Sequence, residues 1–378
     1  MTPKIISSAS LSSDDPYDDI DALFWSMYTM PISVGNPPLN LTAIVDTSWS
    51  PMFIPSANCT LDPSERPYCR VHHLYNSTLS STYRANLTSA RVYYTGPAGF
   101  YTYGKVSQDS IHVAGVEIKS QTFEEAIQLR PDAGTNDELF DTVFGLALFQ
   151  TVDGGNWSDF TAPSPFQNMI EQGLLDENVF TLKFPRTREE KGEITLGGLP
   201  SNLRQEDLIE MPLNHKIDDS EEVWKFYAMN GWQVSLSRMT MAFNSSNASI
   251  PVLDKPQVAV ISSSFPWIGL PTDVAARANK AIGLDYAFHW VNCTTRPQLP
   301  NWTINFEPGN QSITLTPWDY LIQAYDYRIK EDICVSAFYD LGKYGDKGFV
   351  LLGAPFLDGL YSVFNADRKS ISFGNRPL

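Results

Sequence analysis

The chain has 378 residues, 43 of them Asp or Glu and 27 Lys or Arg, which gives a formal net charge of −16. A protein needs a basic face to neutralise phosphate groups, so this net charge argues against nucleic acid as a partner and disfavours anionic membrane surfaces. Hydrophobic residues make up 43% of the chain, too many for a disordered protein, yet no apolar run is long enough to span a bilayer.

Short β-branched and aromatic runs dominate the chain, separated by Gly, Pro, Asn and Asp, and they predict strands. In chain order the clearest predicted strands cover residues 41–45, 104–113, 193–197, 232–241, 257–261, 349–352 and 362–364. Helical signals are sparse, and the predicted helices cover residues 165–172, 272–282 and 317–322. This pattern is typical of a mostly β protein, and the length has room for two or three domains.

Asn-X-Ser/Thr sequons are more frequent than composition predicts by chance, which points to the secretory pathway. The ten sequons begin at Asn40, Asn58, Asn76, Asn86, Asn156, Asn244, Asn247, Asn292, Asn301 and Asn310. Residues 1–6 lack the apolar stretch of a signal peptide. We therefore expect a mature secreted glycoprotein from which the signal peptide has been removed.

Four cysteines allow three disulfide pairings. The most economical pairing joins Cys59 to Cys69 and Cys293 to Cys334, because each half of the chain then closes its own short loop. Local cysteine pairs of this kind fit an oxidising compartment better than the cytosol.

The chain also contains a long-range internal repeat, in which an apolar strand runs into small hydroxyl residues. Residues 43–48 read AIVDTS and residues 259–264 read AVISSS, so Asp46 and Ser262 occupy matching positions. Further along each half, two apolar residues precede a glycine, Gly145 in the first half and Gly353 in the second. The repeat predicts a duplicated β-lobe.

These residues resemble the pepsin-like aspartic peptidases, most closely the secreted fungal members, and the resemblance covers nearly the whole chain. Besides the two turns it rests on Tyr227, on Trp232 and on the segments ISVGNPP (32–38), YNSTLSSTY (75–83), QGLL (172–175), GEITLGG (192–198) and LGAPFL (352–357). It implies a bilobal acid-protease fold with a cleft between two pseudo-symmetric β-lobes. The N-terminal lobe would cover residues 1–190, with a flap at about 92–104, and the C-terminal lobe residues 191–378.

In that family each lobe contributes one Asp, and the two carboxylates share a proton at the interface. One acts as a base on the water that attacks the scissile carbonyl, and the other acts as an acid toward the carbonyl oxygen. The resemblance assigns the first position to Asp46, whereas Ser262 stands at the second. Ser48 and Ser264 replace the two neighbouring glycines of the family pattern. We therefore expect conventional proteolysis to be lost.

Trp49 and Phe265 stand where the family has a Ser or Thr directly after each turn. Both replacements remove a hydrogen-bond donor and add an apolar ring, so the pKa of Asp46 should rise through desolvation. The two rings either fill the space left by lost polar contacts or form the wall of an apolar ligand pocket. Thr47 and Ser263 keep the hydroxyls that would support hydrogen bonds between the lobes.

The flap of this family is a β-hairpin that covers the cleft with a tyrosine. Four tyrosines fall in residues 92–104, and position favours Tyr94 for this role. The aromatic residues of this segment either line a ligand site or pair across the strands of the hairpin.

These features favour a secreted pseudopeptidase that binds a peptide, a protein or a small apolar molecule in or beside the cleft. Two alternatives stay open. One is a repurposed enzyme that uses Asp46 as an acid in a cyclisation or isomerisation of a secondary metabolite, and the other is a residual acid endopeptidase.

Other chemistry finds little support in the sequence. A nucleophile at Ser262 would need a nearby His as base, and none of the five His falls in a segment expected at the cleft floor. His72 and His73 are expected in a solvated loop rather than at a metal, because no cluster with ligand spacing accompanies them. We expect a monomer with no cofactor and no metal.

Overall fold

The structure is a computed structural model, and it describes residues 7–13, 28–64, 66–94, 100–131, 140–148, 158–186, 190–214, 231–244, 248–284, 290–309, 311–326, 329–342, 345 and 348–374. The α-helices in these residues are all short. They are α1 (Arg66–Cys69), α2 (Pro165–Glu171), α3 (Thr272–Ala281), α4 (Pro317–Tyr320) and α5 (Ala354–Leu357). No helix among them is long and apolar enough to cross a membrane.

The largest sheet has thirteen strands within the described residues and draws on both halves of the chain. In chain order its strands are β1 (Ser7–Ser13), β2 (Tyr28–Val34), β3 (Leu39–Asp46), β4 (Met52–Pro55), β5 (Arg84–Tyr94), β6 (Phe100–Val113), β7 (Val116–Pro131), β8 (Thr142–Gly145), β9 (Val179–Lys183), β10 (Gly192–Leu196), β11 (Leu208–Pro212), β23 (Tyr361–Asn365) and β24 (Ser370–Gly374). Antiparallel pairing of β9 with β23 joins the two halves by continuous backbone hydrogen bonds.

The second half builds two further sheets, with eight and three strands in the part of the chain that the structure describes. The larger contains β12 (Gln233–Ala242), β13 (Ser249–Leu253), β14 (Gln257–Ile261), β15 (Ile268–Leu270), β17 (Asn301–Glu307), β18 (Gln311–Leu315), β21 (Phe338–Asp340) and β22 (Phe349–Leu352). The smaller contains β16 (Trp290–Asn292), β19 (Leu321–Asp326) and β20 (Glu331–Ser336).

Each half contains a parallel pair of strands that leads into one of the repeated turns. Strand β3 runs parallel to β8 and ends at Asp46, and β14 runs parallel to β22 and ends one residue before Ser262. A Cβ atom added at Gly145 or Gly353 would lie within 2.2 Å of the carbonyl oxygen of the turn it crosses. Only glycine allows this approach, so the sequence repeat is also a structural repeat.

An aromatic cluster fills the space between the two halves. Phe166 and Phe180 from the first half contact Trp232 and Phe364 from the second, and all four rings are buried. The Trp232 indole N–H also donates a hydrogen bond to the Leu146 carbonyl oxygen at 2.7 Å. The interface between the halves is therefore a packed core.

The predicted elements and both predicted disulfides are present. Disulfides join Cys59 to Cys69 and Cys293 to Cys334. The helix predicted at 317–322 is shorter than expected, since α4 ends at Tyr320 and β19 begins at Leu321. Pairing of β19 with β20 takes over from that point. The division into lobes at residue 190 stays a prediction.

Candidate functional site

Reciprocal hydrogen bonds join the two repeated turns at the centre of the molecule. The Thr47 N–H donates to Ser263 Oγ at 2.9 Å, and the Ser263 N–H donates to Thr47 Oγ1 at 3.1 Å. Each hydroxyl then donates to a carbonyl oxygen of the other half, Thr47 to Ile261 at 3.0 Å and Ser263 to Val45 at 2.8 Å. The two turns are therefore held as a symmetric pair, with Asp46 and Ser262 beside them.

Asp46 is a buried carboxyl, only 1% exposed, that accepts hydrogen bonds from its own turn and from the hairpin of β5 and β6. Its Oδ1 accepts from the Ser48 N–H at 2.7 Å, and its Oδ2 accepts from the Tyr94 hydroxyl at 2.9 Å. Burial raises the pKa of Asp46 to about 6, and hydrogen bonds from Ser48, Ser264 and Tyr94 only partly offset that effect. The group therefore changes charge in mildly acidic solution.

Ser262 and its neighbours form a chain of hydroxyls next to Asp46. Ser48 donates to Ser262 Oγ at 3.0 Å, and Ser262 Oγ lies 3.3 Å from Ser264 Oγ. All three serines are buried. Hydroxyls of this kind donate and accept hydrogen bonds but do not ionise near neutral pH, so the site holds one titratable acid and three neutral groups.

The two rings that follow the turns lie in different surroundings. Trp49 is fully buried, contacts Tyr94 edge-on at 4.9 Å between ring centroids and donates its indole N–H to the Pro51 carbonyl oxygen. Phe265 is partly exposed and meets Tyr339 edge-on at 6.1 Å. Trp49 therefore fills the core of the first half, whereas Phe265 leaves an apolar surface in the second.

The hairpin of β5 and β6 supplies the tyrosine that reaches Asp46. Tyr94 lies on the buried face of the hairpin, while Tyr101 and Tyr103 are exposed and Tyr93 stacks on Tyr101 at 3.9 Å. Residues 95–99 of the expected flap lie outside the described residues. Of the four candidate tyrosines, the structure thus brings Tyr94 to the site.

Of the described histidines, His72 and His73 lie beside Asp141, and His112 lies near the end of β6. His73 is exposed and its Nδ1 lies 2.9 Å from Asp141 Oδ2, in agreement with a loop position. The His72 side chain is only 3% exposed, so the expected solvated position is wrong for it, because it packs beside the buried Asp141. His215 and His289 lie outside the described residues. Among the residues that the structure describes, no group of three His, Cys, Asp or Glu side chains could hold a metal ion.

Seven of the ten sequon asparagines lie in the described residues, and three do not, namely Asn156, Asn247 and Asn310. Exposed positions are occupied by Asn40, Asn58, Asn76, Asn86, Asn244 and Asn292. Asn301 is half-buried and donates to Asn244 Oδ1 at 3.0 Å.

Sequence reasoning missed one buried acid near the hairpin, Glu124 on β7. Its signal was the pair Glu124-Glu125 inside a strand: consecutive side chains face opposite sides of a strand, so one of the two acids faces inward as soon as either side is covered.

Comparison with known proteins gives one consistent result over almost the whole chain. A family model described as eukaryotic aspartyl protease matches residues 27–376. Vacuolar protease A from Aspergillus fumigatus is 27% identical over 359 residues, which cover 93% of this chain and 79% of that protein. Cathepsin D from Dictyostelium discoideum is 28% identical over 356 residues, with 92% and 83% covered. Human cathepsin D is 26% identical over 365 residues, with 92% and 80% covered.

The matched region includes both repeated turns, the hairpin and both disulfides. The mostly β architecture with its two related parallel strand pairs agrees with this match. The chain therefore belongs to the eukaryotic aspartyl proteases, the pepsin-like aspartic peptidase family.

Proposed function

We propose that this member of the family does not hydrolyse peptide bonds in the conventional way and instead binds a ligand in or beside the cleft. The observation that carries the proposal is the hydroxyl at Ser262, the counterpart of Asp46 in the second half. A serine there can neither share a proton with Asp46 nor act as a base on water. Removal of one member of such a catalytic unit typically lowers the rate on the order of 10⁴ to 10⁶-fold.

The hydroxyls around Ser262 support the same conclusion. Ser48 and Ser264 bring two more oxygens within 3.3 Å of Ser262 Oγ. In the family pattern glycines stand at these two places, so the added side chains take up room beside the carboxylate. An attacking water would have to compete with them for space and for hydrogen bonds.

The ligand in this proposal is a peptide, a protein or a small apolar molecule that lies on the Phe265 side of the cleft. Trp49 and Tyr94 already occupy the floor on the other side, where both are fully buried. Phe265, Tyr339 and Ile322 are only partly buried and pack against one cluster in the second half. They offer apolar area that a ligand would remove from water.

A proteolysis assay tests this function directly. The purified full chain is incubated with acid-denatured globin between about pH 3 and pH 5, with and without pepstatin. We expect no pepstatin-sensitive cleavage. Ser262→Asp combined with Ser48→Gly and Ser264→Gly should restore measurable cleavage, while Ser262→Asp alone should restore less. Pepstatin-sensitive cleavage by the unmodified chain, at a rate ordinary for an aspartic peptidase, would contradict the proposal and support the alternative of a residual endopeptidase.

A second candidate function is non-proteolytic catalysis with Asp46 as a general acid. The specific observation in its favour is the pKa of about 6, which burial produces and which lets part of the carboxyl keep its proton near neutral pH. A substrate would be a small organic molecule, for instance a secondary metabolite that undergoes cyclisation or isomerisation. The isosteric variant Asp46→Asn tests this candidate.

We also propose that the protein matures as a monomeric glycoprotein in the secretory pathway. Two disulfides and six exposed sequon asparagines support this location. Treatment of protein from its native host with peptide-N-glycosidase should lower its mass by several glycans. An unchanged mass would contradict the proposal.

A further inference from the structure

Glu124 on β7 is a buried carboxyl that the proposed function does not use. The residue is 0% exposed, and no hydrogen-bond partner reaches its Oε1. Its Oε2 lies 2.6 Å from the hydroxyl oxygen of Thr102 on β6. A buried carboxylate without a cation is strongly unfavourable, so these surroundings suit an uncharged acid.

The charged groups near Glu124 do not neutralise it. Burial is the largest influence on the pKa of Glu124, and the negative charge of Asp159 raises that pKa further. Hydrogen bonds from the Thr102 hydroxyl and from the Val92 N–H partly offset both effects, and the resulting pKa is about 8. Arg91 of β5 pairs with Asp159 at 3.0 Å on the exposed face of the hairpin. Glu125 bonds serine hydroxyls on the opposite face of β7, and Lys105 contacts Ser89.

The neighbouring strands contribute no charge at this point. Phe53 of β4 and Val106 of β6 are the register partners of Glu124, and both are buried apolar residues. The carboxyl therefore lies between apolar side chains, and its polar neighbours are the Thr102 hydroxyl and the Val92 N–H.

Counting protons at Thr102 assigns the state of the acid. The Thr102 hydroxyl lies 2.6 Å from Glu124 Oε2 and 3.3 Å from the Val92 carbonyl oxygen. One hydroxyl has a single proton to donate. Both contacts become hydrogen bonds when Glu124 carries its own proton and donates to Thr102, which in turn donates to Val92.

The contacts among Glu124, Thr102 and Val92 lie next to the Tyr94 hydroxyl that donates to Asp46. Val92 and Tyr94 are two residues apart on β5, so their side chains face the same side of the strand, and both are fully buried. Val92 is also the register partner of Thr102 across the hairpin. Glu124 therefore ties the hairpin to β7 one pleat away from the Tyr94 hydroxyl that bonds Asp46.

We propose that Glu124 is a positioning residue of the hairpin: as an uncharged acid it ties Thr102 and Val92 to β7 and holds Tyr94 on Asp46, and its ionisation releases that contact. If this release regulates the access of a ligand, that regulatory role rests on the proposed function, because it requires a cleft that binds a ligand. The release itself requires neither a ligand nor the loss of proteolysis.

Amide hydrogen exchange tests the release. Peptides from β5 and β6 are followed by mass spectrometry from pH 5 to pH 9, with rates corrected for the intrinsic pH dependence of exchange. Ionisation of one buried acid weakens protection by up to about tenfold per pH unit, and we expect this loss to level off above about pH 8. Glu124→Gln stays uncharged and should keep its protection throughout, whereas the control Glu117→Gln, an exposed acid of the same strand, should behave as the unmodified chain.

The proposal fails if Glu124→Gln loses protection with pH as the unmodified chain does. If that variant does not fold, Thr102→Val decides the matter, because it removes the partner hydroxyl with little change in shape. It should lower protection of β5 and β6 at pH 5 toward the level of the unmodified chain at pH 9, and retained protection would overturn the proposal. Cleavage of globin by the unmodified chain would contradict the proposed function and leave this result standing.

Discussion

Asp46 differs from an ordinary carboxyl because burial withholds the water that would stabilise its charge. The Ser48 amide at 2.7 Å and the Tyr94 hydroxyl at 2.9 Å replace only part of that hydration. The resulting pKa of about 6 lies between the strongly acidic range, where the group is neutral, and neutral pH, where most of it is charged. Tyr94 itself is fully buried, with Trp49 packed edge-on against its ring.

At this scale the test of Asp46 as an acid is its isosteric replacement. If the chain turns over a small organic substrate, the rate should fall as pH rises above about 6, because the protonated fraction then falls about tenfold per pH unit. Asp46→Asn should lower kcat on the order of 10² to 10⁴-fold at every pH. The readout is a pH profile of kcat for both proteins.

A matched control for this variant is Asp62→Asn, an acid on the surface loop near the first disulfide. It should leave the profile unchanged. If Asp46→Asn turned over the substrate at the rate of the unmodified chain, Asp46 would not be the general acid.

The sequence allowed the matching positions of Asp46 and Ser262 to be predicted, because a repeat of six residues is visible without a structure. It left open whether Trp49 and Phe265 fill space or line a pocket, and the two rings turn out to differ. Their exposure depends on what the neighbouring strands place against them, Tyr94 for Trp49 and Tyr339 for Phe265. Such contacts between distant segments leave no local pattern.

The strands were predictable because their alternation and their turn residues are local signals. The C-terminal end of α4 was not, since residues 321 and 322 are apolar and continue a helical pattern equally well. In the structure they pair with β20 instead, and Leu321 faces the core as the first residue of β19. Tertiary pairing therefore decided where the helix ends.

Strand β7 shows why the buried acid Glu124 escaped sequence reasoning. Acidic residues are almost always exposed, so two consecutive Glu in a strand suggest at least one solvated face. Both are buried here, because β7 has packed side chains on each face. The Glu125 carboxylate accepts hydrogen bonds from serine hydroxyls, whereas the side chain that contacts the Glu124 carboxyl is Thr102. The two neighbouring acids are therefore both buried, but their carboxyl groups have different hydrogen-bond partners.

For the molecule as a whole, buried acids make folding stability depend on pH. The pKa of Asp46 rises from 3.8 to about 6 and that of Glu124 from 4.5 to about 8. The folded chain therefore holds these protons more tightly than the unfolded chain, so their stabilising contribution is complete below about pH 4 and is lost as pH rises through about 6 and about 8. Asp141 acts in the opposite sense: burial raises its pKa, but hydrogen bonds from His72, Thr42 and His73 together outweigh burial and lower it.

We expect the melting temperature to be highest in mildly acidic solution and to fall toward pH 8. Each of the two raised groups removes up to about 1.4 kcal/mol of unfolding free energy per pH unit within its own window. Scanning calorimetry from pH 3 to pH 9 measures the profile. Asp46→Asn should flatten the fall below about pH 6, and a melting temperature that rises steadily from pH 5 to pH 8 would contradict this account.

The joint between the two halves carries a consequence for how such a protein changes over generations. The four reciprocal hydrogen bonds come from Thr47, from Ser263 and from the main chain. The Ser262 hydroxyl takes no part in these four bonds; it accepts from Ser48 and lies 3.3 Å from Ser264 Oγ. The fold therefore does not depend on an acid at position 262: a substitution there leaves the four hydrogen bonds between the halves in place, so the side chain at this position can change over evolutionary time while the architecture is kept.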